Sequence, residues 1–267
     1  MDSLHVRPPA VAGMFYPADA RELAGEVSSL LASAERADLL PKALIVPHAG
    51  YVYSGSIAAS AYALLAPLRE TIRRVVLFGP THRVPVRGLA VATTEFFATP
   101  LGDVPLDAAA IRLALQLPQV QAGDVAHALE HSLEVQLPFL QAMLNEFTLV
   151  PFAVGDASGA DVAAVMEALW GGAETLILVS SDLSHYHAYA AAQKLDRQTA
   201  DDILQLRPLA SHEQACGATP INGLIAAARH KGLVPQLLDL RNSGDTAGDK
   251  SRVVGYGAFA FTADGHG

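Results

Sequence analysis

The sequence predicts an α/β fold, a single layered sheet flanked by helices, and two patterns along the chain carry that prediction. Short runs rich in Val, Ile and Leu alternate with longer Ala- and Leu-rich stretches of helical spacing, the signature of a sheet covered by helices. Three of the apolar runs also break off into short loops carrying histidine: 43–47 before His48, 75–79 before His82, and 176–180 before Asp182 and His185. In open α/β sheets, ligands collect outside the carboxyl ends of parallel strands, where loops from several strands reach one cleft. One polar site at one sheet edge is the expectation.

Taken in order, the expected strands are 43–46, 75–78, 149–154, 176–179 and 253–261, and the expected helices are 18–35, 56–70, 106–116, 132–145, 161–170, 190–206 and 220–231. Thr219 before Pro220 reads as a helix start, since the hydroxyl can cap free amides and proline in the first turn loses no hydrogen bond. Pro138 predicts that the 132–145 helix is kinked or begins later. No linker, low-complexity tract or solenoid repeat interrupts the chain, so residues 1–267 are expected to form one domain. The polar segment 242–250 reads as a loop before the last strand and as a wall of the site.

Composition narrows the function. Eighteen basic against 27 acidic side chains give a net charge of −9, which argues against nucleic acid or an anionic membrane as a partner. No run approaches the roughly 18 apolar residues that span a bilayer, and the first residues do not resemble a signal peptide. A single cysteine forms no intrachain disulfide, so a cytoplasmic location is expected. A chain this acidic and apolar-rich also leaves room for a homodimer.

Candidate chemistry sits in five short stretches. His48 and His82 each follow a buried strand, and two imidazoles in that repeated context suggest a shared metal, although neither lies in a short-range zinc pattern. Asp182 and His185 are three residues apart in the densest polar cluster, 180–187; they can form an oriented acid/base pair, or simply cap a helix. His131 reads as a substrate contact or a supporting residue, with Glu134 a surface charge at a helix start. Cys216 precedes an expected helix N-terminus, a position that favours thiolate; the plainer alternative is a small buried hydrophobe. Tyr51, in the loop after His48, and Asp245, in the 242–250 wall, are expected to touch substrate. Lys250 and Arg252 can neutralise an anion or form salt bridges, while His127, His212, His230 and His266 read as structural or surface residues.

Read together, residues 7–17, 47–51, 79–82, 130–138, 180–185, 216–217 and 242–245 resemble, in order and nearly end to end, the Memo-like family, whose prokaryotic members are called AmmeMemoRadiSam system protein B. That resemblance implies a fold similar to class III extradiol dioxygenases, with His48 and His82 as metal ligands, Cys216 at the third ligand position, and His185 as the acid/base residue beside Asp182. Sulfur with two imidazoles suits iron, copper or zinc, and argues against ordinary catechol cleavage. The resemblance also implies a pathway shared with a radical S-adenosylmethionine protein. Three functions follow as expectations: a metal-dependent oxidoreductase with iron or copper, acting on a small-molecule or peptide substrate; a metal-free cysteine hydrolase using Cys216; and a non-enzymatic module that binds a peptide or protein.

Overall fold

The computed structural model describes residues 5–35 and 37–263, so His266 and the first residues of the chain lie outside it. Four strands form the centre of the main sheet: β2 (Ala43–Val46), β3 (Arg74–Pro80), β8 (Thr148–Val154) and β9 (Thr175–Ser180). They are parallel, in the order β2-β9-β3-β8. Their Val, Ile, Leu and Phe residues are buried throughout, as required of strands covered on both faces, and this is why the sequence shows them as unbroken apolar runs.

Antiparallel strands widen the sheet on both sides. β12 (Val253–Ala263) pairs with β2 and carries both β10 (His185–His187) and β11 (Leu233–Asn242). Beyond β8 lie β4 (Leu89–Val91) and β7 (Val120–Ala122). A separate small sheet joins β1 (Val6–Arg7), β5 (Phe96–Thr99) and β6 (Gly102–Pro105). Of these, only β12 is expected from the sequence. β11 is an edge strand holding Pro235, Asp239 and Arg241, with a bulge between Leu237 and Asp239, so its alternation is broken and its proline is tolerated only because it lies at an edge.

Helices cover the sheet. α1 (Ala20–Ser33) starts where the Asp19 carboxylate accepts the amides of Arg21 and Glu22, and it buries Leu23 and Val27, one turn apart. α2 (Tyr51–Tyr62) follows the His48 loop directly and continues as a 3-10 turn over Ala63–Leu68, so it starts five residues before the expected position. The remaining helices are α3 (Ala108–Ala114), α4 (Asp124–Ala128), α5 (Leu137–Met143), α6 (Gly159–Ala168), α7 (Tyr189–Leu204), α8 (Ala218–Lys231) and the single turn α9 (Ser243–Thr246). Pro138 sits in the first turn of α5, which fixes a late start rather than a kink. α8 begins at Ala218 after Gly217, not at Pro220; Thr219 faces His212 instead of capping. Among the described residues no helix is long and apolar enough to cross a membrane.

Candidate metal centre

Three parallel strands deliver their following residues to one edge. Pro47-His48 leaves β2, Thr81-His82 leaves β3, and Ser181-Asp182 leaves β9. The segment between α4 and α5 crosses above them with Glu130, His131 and Ser132. Gly79 lets it settle there, since a Cβ at that position would lie 2.9 Å from both the Ser132 hydroxyl and Leu133.

Hydrogen bonds fix the histidine tautomers. His48 Nδ1 lies 2.9 Å from Ser180 Oγ. That hydroxyl donates its one proton to the Ser132 carbonyl at 2.5 Å and accepts from Gln136 Nε2 at 2.8 Å. Ser180 can therefore only accept from His48, which makes Nδ1 the protonated nitrogen and leaves the lone pair on Nε2. At His82, Nδ1 lies 2.9 Å from Glu130 Oε1, and the backbone amide donates to Oε2 at 2.6 Å. Burial opposes charge on Glu130, but hydrogen bonds from the His82 ring and backbone hold its carboxyl down to about 2. An ionised carboxylate only accepts, so His82 too carries its proton on Nδ1 and its lone pair on Nε2.

His131 completes the group. Its amide donates to Glu130 Oε1 at 3.0 Å, and its ring stacks on His82 with centroids 4.7 Å apart and meets Phe15 at a tilt, with centroids 4.8 Å apart. One nitrogen from each of His48, His82 and His131 can be chosen so that all three lie within 4.8 Å of one another. Burial, then the neighbouring His82, pushes His48 down to about 3; burial, then His48, pushes His131 down to about 4. Both are neutral at physiological pH, the protonation state in which imidazole binds metal.

Cys216 borders the same cluster, with Sγ 3.4 Å from His48 Nε2 and 3.8 Å from the Ser181 hydroxyl. The expectation of a thiolate is corrected: burial, then the charge of Asp182, pushes the thiol up to about 12, and the end of α8 does not offset this. The Asp182–His185 pair is corrected as well. Asp182 Oδ1 accepts the His48 amide at 2.7 Å, while His185 Nδ1 pairs with the Leu183 carbonyl at 2.8 Å. His185 instead lines, with His82, Tyr186, His187, His212 and Cys216, a cleft of about 580 Å³ beside the cluster.

Two expected substrate contacts lie elsewhere. Tyr51 is buried and gives its hydroxyl to the Val135 carbonyl at 2.7 Å. Asp245 accepts the Asn242 amide at 3.0 Å, bonds the Tyr189 hydroxyl, and is absent from the cleft wall. Lys250 and Arg252 lie over the rings of Tyr189 and Tyr186. Glu134 is not a surface charge: it is fully buried, ion-paired with Arg7, and accepts the Ala10 and Val11 amides and the Tyr16 hydroxyl. Glu130 stands in the sequence as a carboxylate beside an imidazole, but its role as an acceptor shared by His82, His131 and Ser132 depends on long-range packing that adjacency does not reveal.

Comparison with known proteins bears on the family and the fold. At 35% identity over 265 residues, it matches a MEMO1 family protein of Aquifex aeolicus, covering 95% of this chain and 98% of that one. Relatives of the same name from Ignicoccus hospitalis and Methanosarcina mazei are 37% and 34% identical, each covering 96% of this chain and 98% of their own. An uncharacterized protein from Escherichia coli K12 shares the fold, with a TM-score of 0.51 at 14% identity over 80% of this chain and 98% of its own. The family model described as Memo-like protein matches residues 7–260, and the chain belongs to the Memo-like family.

Proposed function

We propose that this protein is a metal-dependent oxidoreductase whose centre is held by His48, His82 and His131, with Cys216 as a further donor. One observation carries the reading: three imidazoles converge within 4.8 Å, and two of them have Nδ1 already committed to Ser180 and Glu130, as ligands supported by an outer acceptor do. The donor set of nitrogens and one sulfur suits iron or copper, with zinc also accommodated. Such a metal, when bound, would supply Lewis-acid or one-electron chemistry beside the cleft.

The chain's own residues do the rest. Glu130 and Ser180 orient the imidazoles, and Asp182 holds the His48 backbone. His185 keeps its proton on Nδ1 against the Leu183 carbonyl, so Nε2 is free to take a proton from a ligand in the cleft and return it. A metal-free cysteine hydrolase is the weaker reading, because burial opposes formation of the Cys216 thiolate. A radical S-adenosylmethionine protein is proposed as the pathway partner, on family resemblance.

Anaerobic titration of chelator-treated protein with iron(II), copper(I) and zinc(II) tests the centre. One equivalent should bind, with at least a tenfold loss of affinity in H48A, H82A and H131A. Unchanged affinity and stoichiometry in all three variants would overturn the reading. The C216S variant then separates a sulfur donor from a neighbour that merely packs against His48.

A further inference from the structure

One buried carboxylate has no part in the centre described above. Asp196 lies on the inward face of α7, in line with Ala192, Thr199, Ala200 and Ile203, and no lysine or arginine pairs with it among the described residues. An unpaired carboxylate on an apolar helix face is costly, and burial raises its pKa. Its surroundings are shaped to hold it. A Cβ on Gly255 would lie 2.1 Å from Asp196 Oδ2, so the glycine in β12 vacates the space the carboxylate fills.

Above that carboxylate runs the segment that presents His185. The Ser184 amide donates to Asp196 Oδ1 at 3.0 Å. Gly255 pins the same segment from the side, its carbonyl accepting the Leu183 amide and its own amide donating to the Ser184 carbonyl, both at 2.8 Å. The Leu183 carbonyl, so oriented, accepts from His185 Nδ1 at 2.8 Å. The next residue, Tyr186, sits at φ 62° in the left-handed region, a conformation that strains a non-glycine residue. The strand irregularity between His185 and His187 falls at the same place. A strained turn keeps its shape only when its flanks are fixed.

We propose that Asp196 is a positioning residue for His185: seated in the space left by Gly255, it fixes the Ser184 amide and thereby the Leu183 carbonyl that keeps the His185 proton on Nδ1 and its Nε2 lone pair toward the cleft. The use of that lone pair for proton transfer rests on the proposed function; the positioning does not.

Long-range proton–nitrogen NMR of the full-length protein, recorded without metal and with zinc, reads the His185 tautomer directly, with H185Q assigning the signal. Wild type should show the Nδ1–H form, and D196A a mixture with the Nε2–H form. D196N should retain the wild-type tautomer, because its amide oxygen still accepts from Ser184. An unchanged tautomer in D196A overturns the proposal. Should D196A fail to fold, thermal unfolding of G255A in the wild-type and D196N backgrounds decides: the added methyl clashes with either side chain at 196 and should lower Tm in both, whereas an undiminished Tm overturns the packing on which the proposal stands. Zinc-dependent shifts of His48 and His82 report separately on the metal centre, so failure of one reading is distinguishable from failure of the other.

Discussion

Two buried glutamates four residues apart, Glu130 and Glu134, do opposite things. Glu134 is surrounded by fixed donors: the Arg7 guanidinium, the Ala10 and Val11 amides and the Tyr16 hydroxyl. It ties the first residues of the fold to the segment that crosses the site, and Arg7 extends the tie by donating to the His127 and Glu130 carbonyls at 2.9 and 2.6 Å. Glu130 is surrounded instead by the ring and backbone of His82 and the amides of His131 and Ser132. Its strongest partner is a half-exposed imidazole with a second nitrogen still free. Burial alone therefore does not distinguish the two carboxylates; they differ in whether a partner keeps a polar atom unused.

Substitutions at the two positions should break this contrast in different directions. The largest effect is expected for E134A, which leaves the Arg7 charge buried without its partner; loss of one member of such a pair costs about 3–5 kcal/mol, measurable as a lowered denaturant midpoint. E130Q should fall next. It keeps the shape but weakens the orientation of His82, so metal affinity should drop about 10–100-fold while the denaturant midpoint moves less than in E134A. Equal stability losses in the two variants would erase the distinction.

A dependence on pH tests the imidazoles that these glutamates border. His48 and His131 have pKa values of about 3 and 4 in the folded chain, below the roughly 6.5 of an unfolded histidine. The unfolded state binds more protons between those limits, so stability of the metal-free protein is full above about pH 6.5 and declines as pH falls toward 4. Thermal melts between pH 7 and 4 should show this decline, and H48N should make it shallower. A flat profile in wild type would count against neutral, buried imidazoles.

The central strands and the positions of His48, His82 and His185 were legible because strand burial and strand exit are local properties. Each apolar run ended within a few residues of its real strand, and parallel pairing brought the exits together. His131 was not legible as a member of the cluster, since it reaches the site on a crossing loop whose path depends on Gly79, about fifty residues earlier, and on Ser132. Glu134 was misread for the same reason: its partners Arg7, Ala10, Val11 and Tyr16 are more than a hundred residues away. Cys216 shows a different failure. Its place near a helix start was visible, but the burial and the Asp182 charge that raise its pKa were not.

The pairing of Val46 with Ser180 in β2 and β9 has a consequence for folding. Side chains alternate along a strand, so a slip of one residue between these two strands turns every side chain to the other face and removes the Ser180 hydroxyl from beneath His48. A mispaired β2–β9 edge cannot hold His48 in its Nδ1-protonated tautomer beside His82 and His131. Any ion that binds there recognises the correctly registered chain alone, and by mass action draws slipped conformers back toward it. On the proposed reading, the metal is thus also a selector among folded states, with one serine hydroxyl as its test of register.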